Sequence, residues 1–182
     1  MDPGLLLALL VLALLAWYLS FSASRLDRLH HRVEGARSAL DAQLVRRAET
    51  AVELATSGAL DPASGLLVAG AAAEALEAGE REDLGEHGRE AAESDLSRAL
   101  QAAIAPDTVQ ALRDDPFAGP LLERLRAACH RVQLARRFHN DAVTDATRVR
   151  AKRISRWARL AGRALPPQTF EMDDDPPAAL TR

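Results

Sequence analysis

Only one of the 182 residues is a cysteine, Cys129, which excludes an internal disulfide framework and a four-thiolate zinc site. Aromatic residues are sparse at 4%, and Val and Ile together number 11. Strands draw on β-branched and aromatic side chains, so a β or α/β architecture lacks its material. Neither sign of charge dominates: the formal net charge is −3, which excludes a globally basic nucleic-acid binder. What abounds is Ala, at 37 residues, and Leu, at 29, both strong helix formers. The composition points to an all-α protein.

Charge is missing from one stretch altogether. Pro3 to Ser24 carries none, and Leu5 to Leu19 is unbroken apolar sequence. At about 1.5 Å of rise per residue, a helix over this stretch covers roughly the 30 Å hydrocarbon core of a bilayer. Trp17 and Tyr18 fall near its end, where amphipathic rings favour the headgroup level. A cleaved signal peptide is the alternative, but Met1 to Gly4 offers no base. A cut after Ala23 would set Phe21 at a position that wants a small residue; a cut after Ser24, with Ser22 there, is tolerable. Residues 1–24 therefore read as an uncleaved transmembrane anchor. Arg25, Arg28, His30, His31 and Arg32 follow the span and Asp2 precedes it, so the positive-inside rule places the N-terminus outside and the remainder in the cytoplasm. Residues 25–165 read as a cytoplasmic helical domain and 166–182 as an acidic, Pro-rich tail.

Apolar periodicity divides that domain. Leu26, Leu29, Val33, Ala36, Leu40, Leu44, Ala51 and Leu54 recur at three- and four-residue steps, marking a long first helix continuous with the span. Ser57-Gly58 and Asp61-Pro62 supply turn chemistry, and an Ala-rich second helix follows over 62–79. Residues 79–88 form a charged connection before a third helix over 89–105. Asp107 is placed to cap a short helical turn ahead of Val109 and Leu112. The fourth helix runs from Leu121 to Gly162, and Pro166-Pro167 ends it. The tail from Glu171 to Asp175 is expected to be extended or disordered. Four such helices with short connections favour an up-and-down four-helix bundle.

Two motifs stand on these helices: Gln43-Leu44-Val45-Arg46-Arg47 on the first, and Ala135-Arg136-Arg137-Phe138-His139-Asn140-Asp141-Ala142-Val143 on the last. With the apolar run before them, they resemble the LemA family of bacterial membrane proteins. The resemblance implies a short outer N-terminus, one span and a cytoplasmic helical bundle, with no settled biochemical activity. The chain departs from the family pattern in three places. No Pro-Asn step follows the Arg pair, His139 stands where Tyr is usual, and Asp145-Ala146 replaces a second Tyr-Asn pair. The first and fourth helices of such a bundle are neighbours, so Arg46 or Arg47 is expected to reach Asn140, Asp141 or Asp145. With Arg136 these form a polar layer that either sets helix register or binds a ligand.

Catalytic constellations do not assemble. Cys129 and His139 lie ten residues apart on one expected helix, about 15 Å along its axis, beyond the ~3 Å reach of a nucleophile and its base. A di-iron bundle needs two Glu-x-x-His pairs, and only Asp27-x-x-His30 approximates one. No P-loop, His-Glu-x-x-His or dinucleotide fingerprint is present. The expectation is a non-enzyme without cofactor or metal, acting as a scaffold or interaction module at the membrane. The competing reading is a ligand-binding or enzyme-like bundle using the Arg47/Asn140 layer.

Charge distribution names the expected partners. Arg131 to Arg163 carries a local balance of +8, and Glu74 to Asp95 one of −7. At 100° per residue Arg148, Lys152, Arg156, Arg159 and Arg163 share one arc, suited to an anionic membrane leaflet at about 1 kcal/mol per charge. The acidic region suits a basic face of another subunit, giving a homo-oligomer. Nucleic-acid binding has little support, since Trp157 is the only aromatic interleaved with the basic arc.

Overall fold

The computed structural model describes residues 3–81, 83, 85–150 and 166–180, and all regular structure among them is helical. Five α-helices follow one another: α1 (Pro3–Thr56), α2 (Pro62–Glu80), α3 (Gly85–Ala103), α4 (Pro106–Asp114) and α5 (Ala118–Arg150). A 3₁₀ turn, Ala178–Leu180, lies near the C-terminus.

Local chemistry sets the boundaries. Gly58, at φ 78°, takes the left-handed conformation that ends α1. Asp61 caps α2 by accepting from the Ala63 and Ser64 amides, each at 3.1 Å, while Pro62 supplies a preset φ at the first helical position. The charged connection is shorter than expected, because Gly85 at φ 62° starts α3 ahead of Glu86, whose acid suits a helix N-terminus. Asp107 is not a cap. Ala105 takes that position without a side-chain hydrogen bond, and Pro106 begins a nine-residue helix with Asp107 inside its first turn. Asp115 does cap: its Oδ1 accepts from the Phe117 and Ala118 amides at 2.7 and 2.9 Å, so α5 begins three residues ahead of Leu121. The expected continuation of the last helix to Gly162 lies outside the described residues.

The chain divides into two compact units. The first takes Met1–Ala36 and His139–Thr169. Its packed part is small: Val33, with Leu29 and Ala36 of α1, meets Ala142, Val143 and Ala146 of α5. Arg32 reaches the Asp145 carboxylate across this pair at 3.3 Å. Nearer the N-terminus the apolar run is uncovered, with its described large apolar side chains from Leu6 to Phe21 between 45% and 76% exposed. Among the described residues, no helix is long and apolar enough to cross a membrane. Several side chains within the apolar run, Leu5, Ala8 and Leu19 among them, lie outside the described ones.

The second unit takes Arg37–Phe138 and Phe170–Arg182. Its main core joins Ala51 and Leu54 of α1, Val68 and Ala72 of α2, Leu96 and Leu100 of α3, Val109 and Leu112 of α4, and Leu122, Leu125 and Cys129 of α5. Directions follow from the pairs. Gly65 lies against Ala55 and Gly79 against Arg89, so α2 runs opposite to both α1 and α3. Arg124 of α5 pairs with Glu53 of α1, while Val132 packs with Leu40 and Leu44, so α5 runs opposite to α1. This is the expected up-and-down order, with α4 inserted between the third and fourth long helices. Gly65 marks the closest approach: a Cβ there would stand 3.0 Å from the Ala55 carbonyl oxygen. Gly65→Ala is expected to destabilise by about 1–3 kcal/mol through overpacking against backbone, read as a lower urea midpoint at unchanged slope.

Candidate functional site

The only fully buried cation among the described residues is Arg47, at 2% exposure. Burying a guanidinium demands a countercharge and hydrogen bonds, and α3 supplies both. One terminal nitrogen, Nη2, donates to Glu93 Oε2 at 2.7 Å and to the Glu93 carbonyl at 3.0 Å. The other, Nη1, donates to Ser97 Oγ at 2.9 Å. Ser97 Oγ in turn lies 2.7 Å from the Asp173 carbonyl, to which it donates. The result is a chain of contacts from α1 through α3 to the C-terminal segment. Burial pushes the Glu93 carboxyl above its ordinary range, and the neighbouring Arg47 opposes that rise without cancelling it.

The C-terminal segment is extended, as expected, but it is not loose. It runs along α3 as a strap. The Glu171 amide donates to Glu90 Oε1 at 2.7 Å, and the Asp173 amide to Ser94 Oγ at 3.1 Å. Gln101 donates to the Asp175 carbonyl at 2.8 Å, and Gln133 of α5 to the Asp174 carbonyl at 3.1 Å. Arg136 Nε donates to the Asp174 carboxylate at 2.7 Å. Phe170 is fully buried against Leu40, Leu44 and Val132, with the Arg37 guanidinium 4.8 Å above its ring. Leu180 is buried in the main core. The expectation of disorder treated Asp173 to Asp175 as solvated charge; their backbone polar groups and one carboxylate are instead met by α3 and α5. A signal for this was present: Glu90, Ser94, Ser97 and Gln101 form a polar stripe at helical spacing, ready to satisfy a neighbouring extended backbone.

Of the expected polar layer, Arg47 pairs with Glu93 and Ser97 of the third helix. Arg46 is exposed and lines a surface groove of about 330 Å³ with Glu49, Glu53, Arg124 and Arg131. Arg136 holds the strap. Asn140 is half-buried and Asp141 exposed, both in the first unit, where Asp145 takes Arg32. Of the basic arc, Arg148 is exposed and 3.8 Å from Asp145, whereas Lys152, Arg156, Arg159 and Arg163 lie outside the described residues.

Cys129 sits in the main core at 4% exposure, and burial pushes its thiol further from ionisation. A protonated, enclosed thiol is a poor nucleophile. Among the described residues no group of three or more His, Cys, Asp or Glu side chains is arranged to hold a metal ion. What the Arg47 site does chemically is join elements: one buried charge pair ties α1 to α3, and one serine passes the connection to the strap. No protein-family model, curated protein or solved structure matches this chain.

Proposed function

We propose that this chain is a membrane-anchored, LemA-like protein whose helical bundle serves as a cytoplasmic scaffold or interaction module rather than an enzyme. The observation that carries the reading is the uncovered apolar run on α1. Leu9, Leu12 and Leu14 are 53%, 60% and 61% exposed, without a charge between Pro3 and Ser24. A helix apolar all round has no stable face for water and belongs in a core or a bilayer. The basic residues after the run support an inward-facing bundle, and the arc from Arg148 to Arg163 suits contact with anionic lipid headgroups. The non-catalytic reading rests on the main-core burial of Cys129 and on the structural employment of Arg47, Glu93 and Ser97.

The test is extraction of the full chain from native membranes. The chain is expected to stay with the pellet in alkaline carbonate and to retain residues 3–24. Leu9→Arg with Leu12→Arg adds two charges to the run, each costing roughly 2.5–3.5 kcal/mol at the centre of a span. That variant is expected in the soluble fraction. A wild-type chain released by carbonate, or one cut near Ala23, sinks the anchor.

A further inference from the structure

The second helix carries more apolar surface than its own chain covers. From Pro62 to Ala73 it has no charge, and its inward side is filled by Val68, Ala72 and Ala75. Its outward side is apolar as well: Leu66 is 77% exposed and Leu67 50%. They line one side of an open groove of about 600 Å³ between α2 and α3, whose floor includes Gly70, Ala99 and Ala102. Gly70 is central to α2, and a Cβ there would meet nothing within 4 Å. A helix-weakening residue thus sits where the chain itself has room for a side chain, and its effect is to hollow the outer surface. The rim carries both signs. Arg98 pairs with Asp95, while Glu74 is exposed and has no ion-pair partner among the described residues.

We infer that this face binds a second copy of the same chain. One surface holds both halves of a fit: projecting Leu66 and Leu67, and the hollow at Gly70, Ala99 and Ala102 that receives such side chains. An isologous two-fold contact requires that self-complementarity, since each patch must meet its own image. A two-fold axis lying along α2 and α3 would bring Arg98, together with its partner Asp95, towards Glu74. Apolar knobs seated in a small-residue hollow form the desolvated centre of the contact, and the charges form its polar edge. The inference names the partner of the proposed interaction module and rests on that reading for its role, but not on the membrane anchor.

The experiment uses the full chain in mild detergent, followed by sedimentation, together with thiol cross-linking in native membranes. The wild type is expected to be a dimer. Leu66→Asp is expected to weaken self-association by about tenfold or more, as loss of a central apolar anchor does, with helical circular dichroism unchanged. Phe117→Asp, at an 84% exposed position outside the groove, is expected to leave the dimer intact. In membranes, Leu66→Cys is expected to cross-link to its own copy under mild oxidant while Phe117→Cys does not, since the native Cys129 is enclosed. A monomeric wild type, a dimer that survives Leu66→Asp, or a Leu66→Cys thiol that forms no homodimer each overturns the inference. Loss of lipid-vesicle binding in Leu66→Asp without any change in mass also overturns it, and assigns the face to lipid. A chain that dimerises through Leu66 yet leaves membranes in carbonate defeats the anchor and leaves this contact standing.

Discussion

Arg47→Met is expected to lower the stability of the second unit by about 3–5 kcal/mol, the usual result of removing one partner from a buried ion pair. The loss has three sources. Glu93, 2% exposed, keeps its carboxyl without the guanidinium 2.7 Å away. Ser97 loses the donor that fixes its hydroxyl towards Asp173. The carbonyl of Glu93 also loses a charged donor. The double variant Arg47→Met with Glu93→Leu is expected to recover most of that loss, because well-packed apolar residues replace a buried pair at little or no net cost. Denaturant melts of the four members of the cycle measure the coupling directly.

The pH dependence of the same variants carries a definite sign. Burial already raises the Glu93 carboxyl above its ordinary 4.5 in the folded chain. A group raised on folding contributes stability below its unfolded pKa and loses it as pH climbs through the folded one. Taking away Arg47 removes the largest opposing influence and leaves that of Arg89, so the carboxyl rises further and the window of loss extends upwards. The penalty of Arg47→Met is therefore expected to be greatest at neutral pH and to shrink on acidification, where Glu93 takes up a proton. A penalty that is flat with pH, or a double variant no better than the single, would show that the ion pair is not what Arg47 contributes.

The second large effect belongs to the strap. Phe170→Ala is expected to cost about 3–5 kcal/mol, the range for emptying a buried aromatic site, and to release residues 171–180 from α3. Phe170 is fully buried, and the cation–π contact with Arg37 adds to its apolar packing. The strap's hydrogen bonds go to Glu90, Ser94, Ser97 and Gln101 of α3 and to Gln133 and Arg136 of α5, and they are not expected to hold it without this anchor. Hydrogen exchange separates the two contributions. The Glu171 and Asp173 amides, bonded to Glu90 and Ser94, are expected to be protected in the wild type and to exchange freely in Phe170→Ala. Arg136→Gln, which removes the contacts to Asp174 and Glu171, is expected to cost much less and to leave Phe170 seated. Equal protection in wild type and Phe170→Ala would mean that the polar stripe alone holds the segment.

Much of this architecture is legible before any tertiary contact is considered. Ala and Leu at three- and four-residue spacing name the helices, and Asp61-Pro62 names the start of α2, because these rules act within one turn of chain. The positions of Leu40, Leu44, Leu54, Leu122 and Leu125 in the core follow from the same periodicity. Other boundaries moved for local reasons that a pattern reading passes over, such as Asp115 capping α5 ahead of Leu121. The sequence by itself thus determined the all-helical class, the number and order of the long helices, and the apolar run at the start.

Only the tertiary structure decided the partners. Arg46 and Arg47 are adjacent and chemically identical, yet one lines an exposed groove and the other is buried against Glu93, because about 100° of helical rotation separates them. Glu93 lies within a run of acids that reads as solvated charge until α1 covers it. The acidic tail reads as disordered until α3 and α5 offer donors to its backbone and the core accepts Phe170 and Leu180. The physical reason is common to all three. Helix formation depends on neighbours three and four residues away, whereas the fate of a charge or an extended backbone depends on what packs against it from far along the chain.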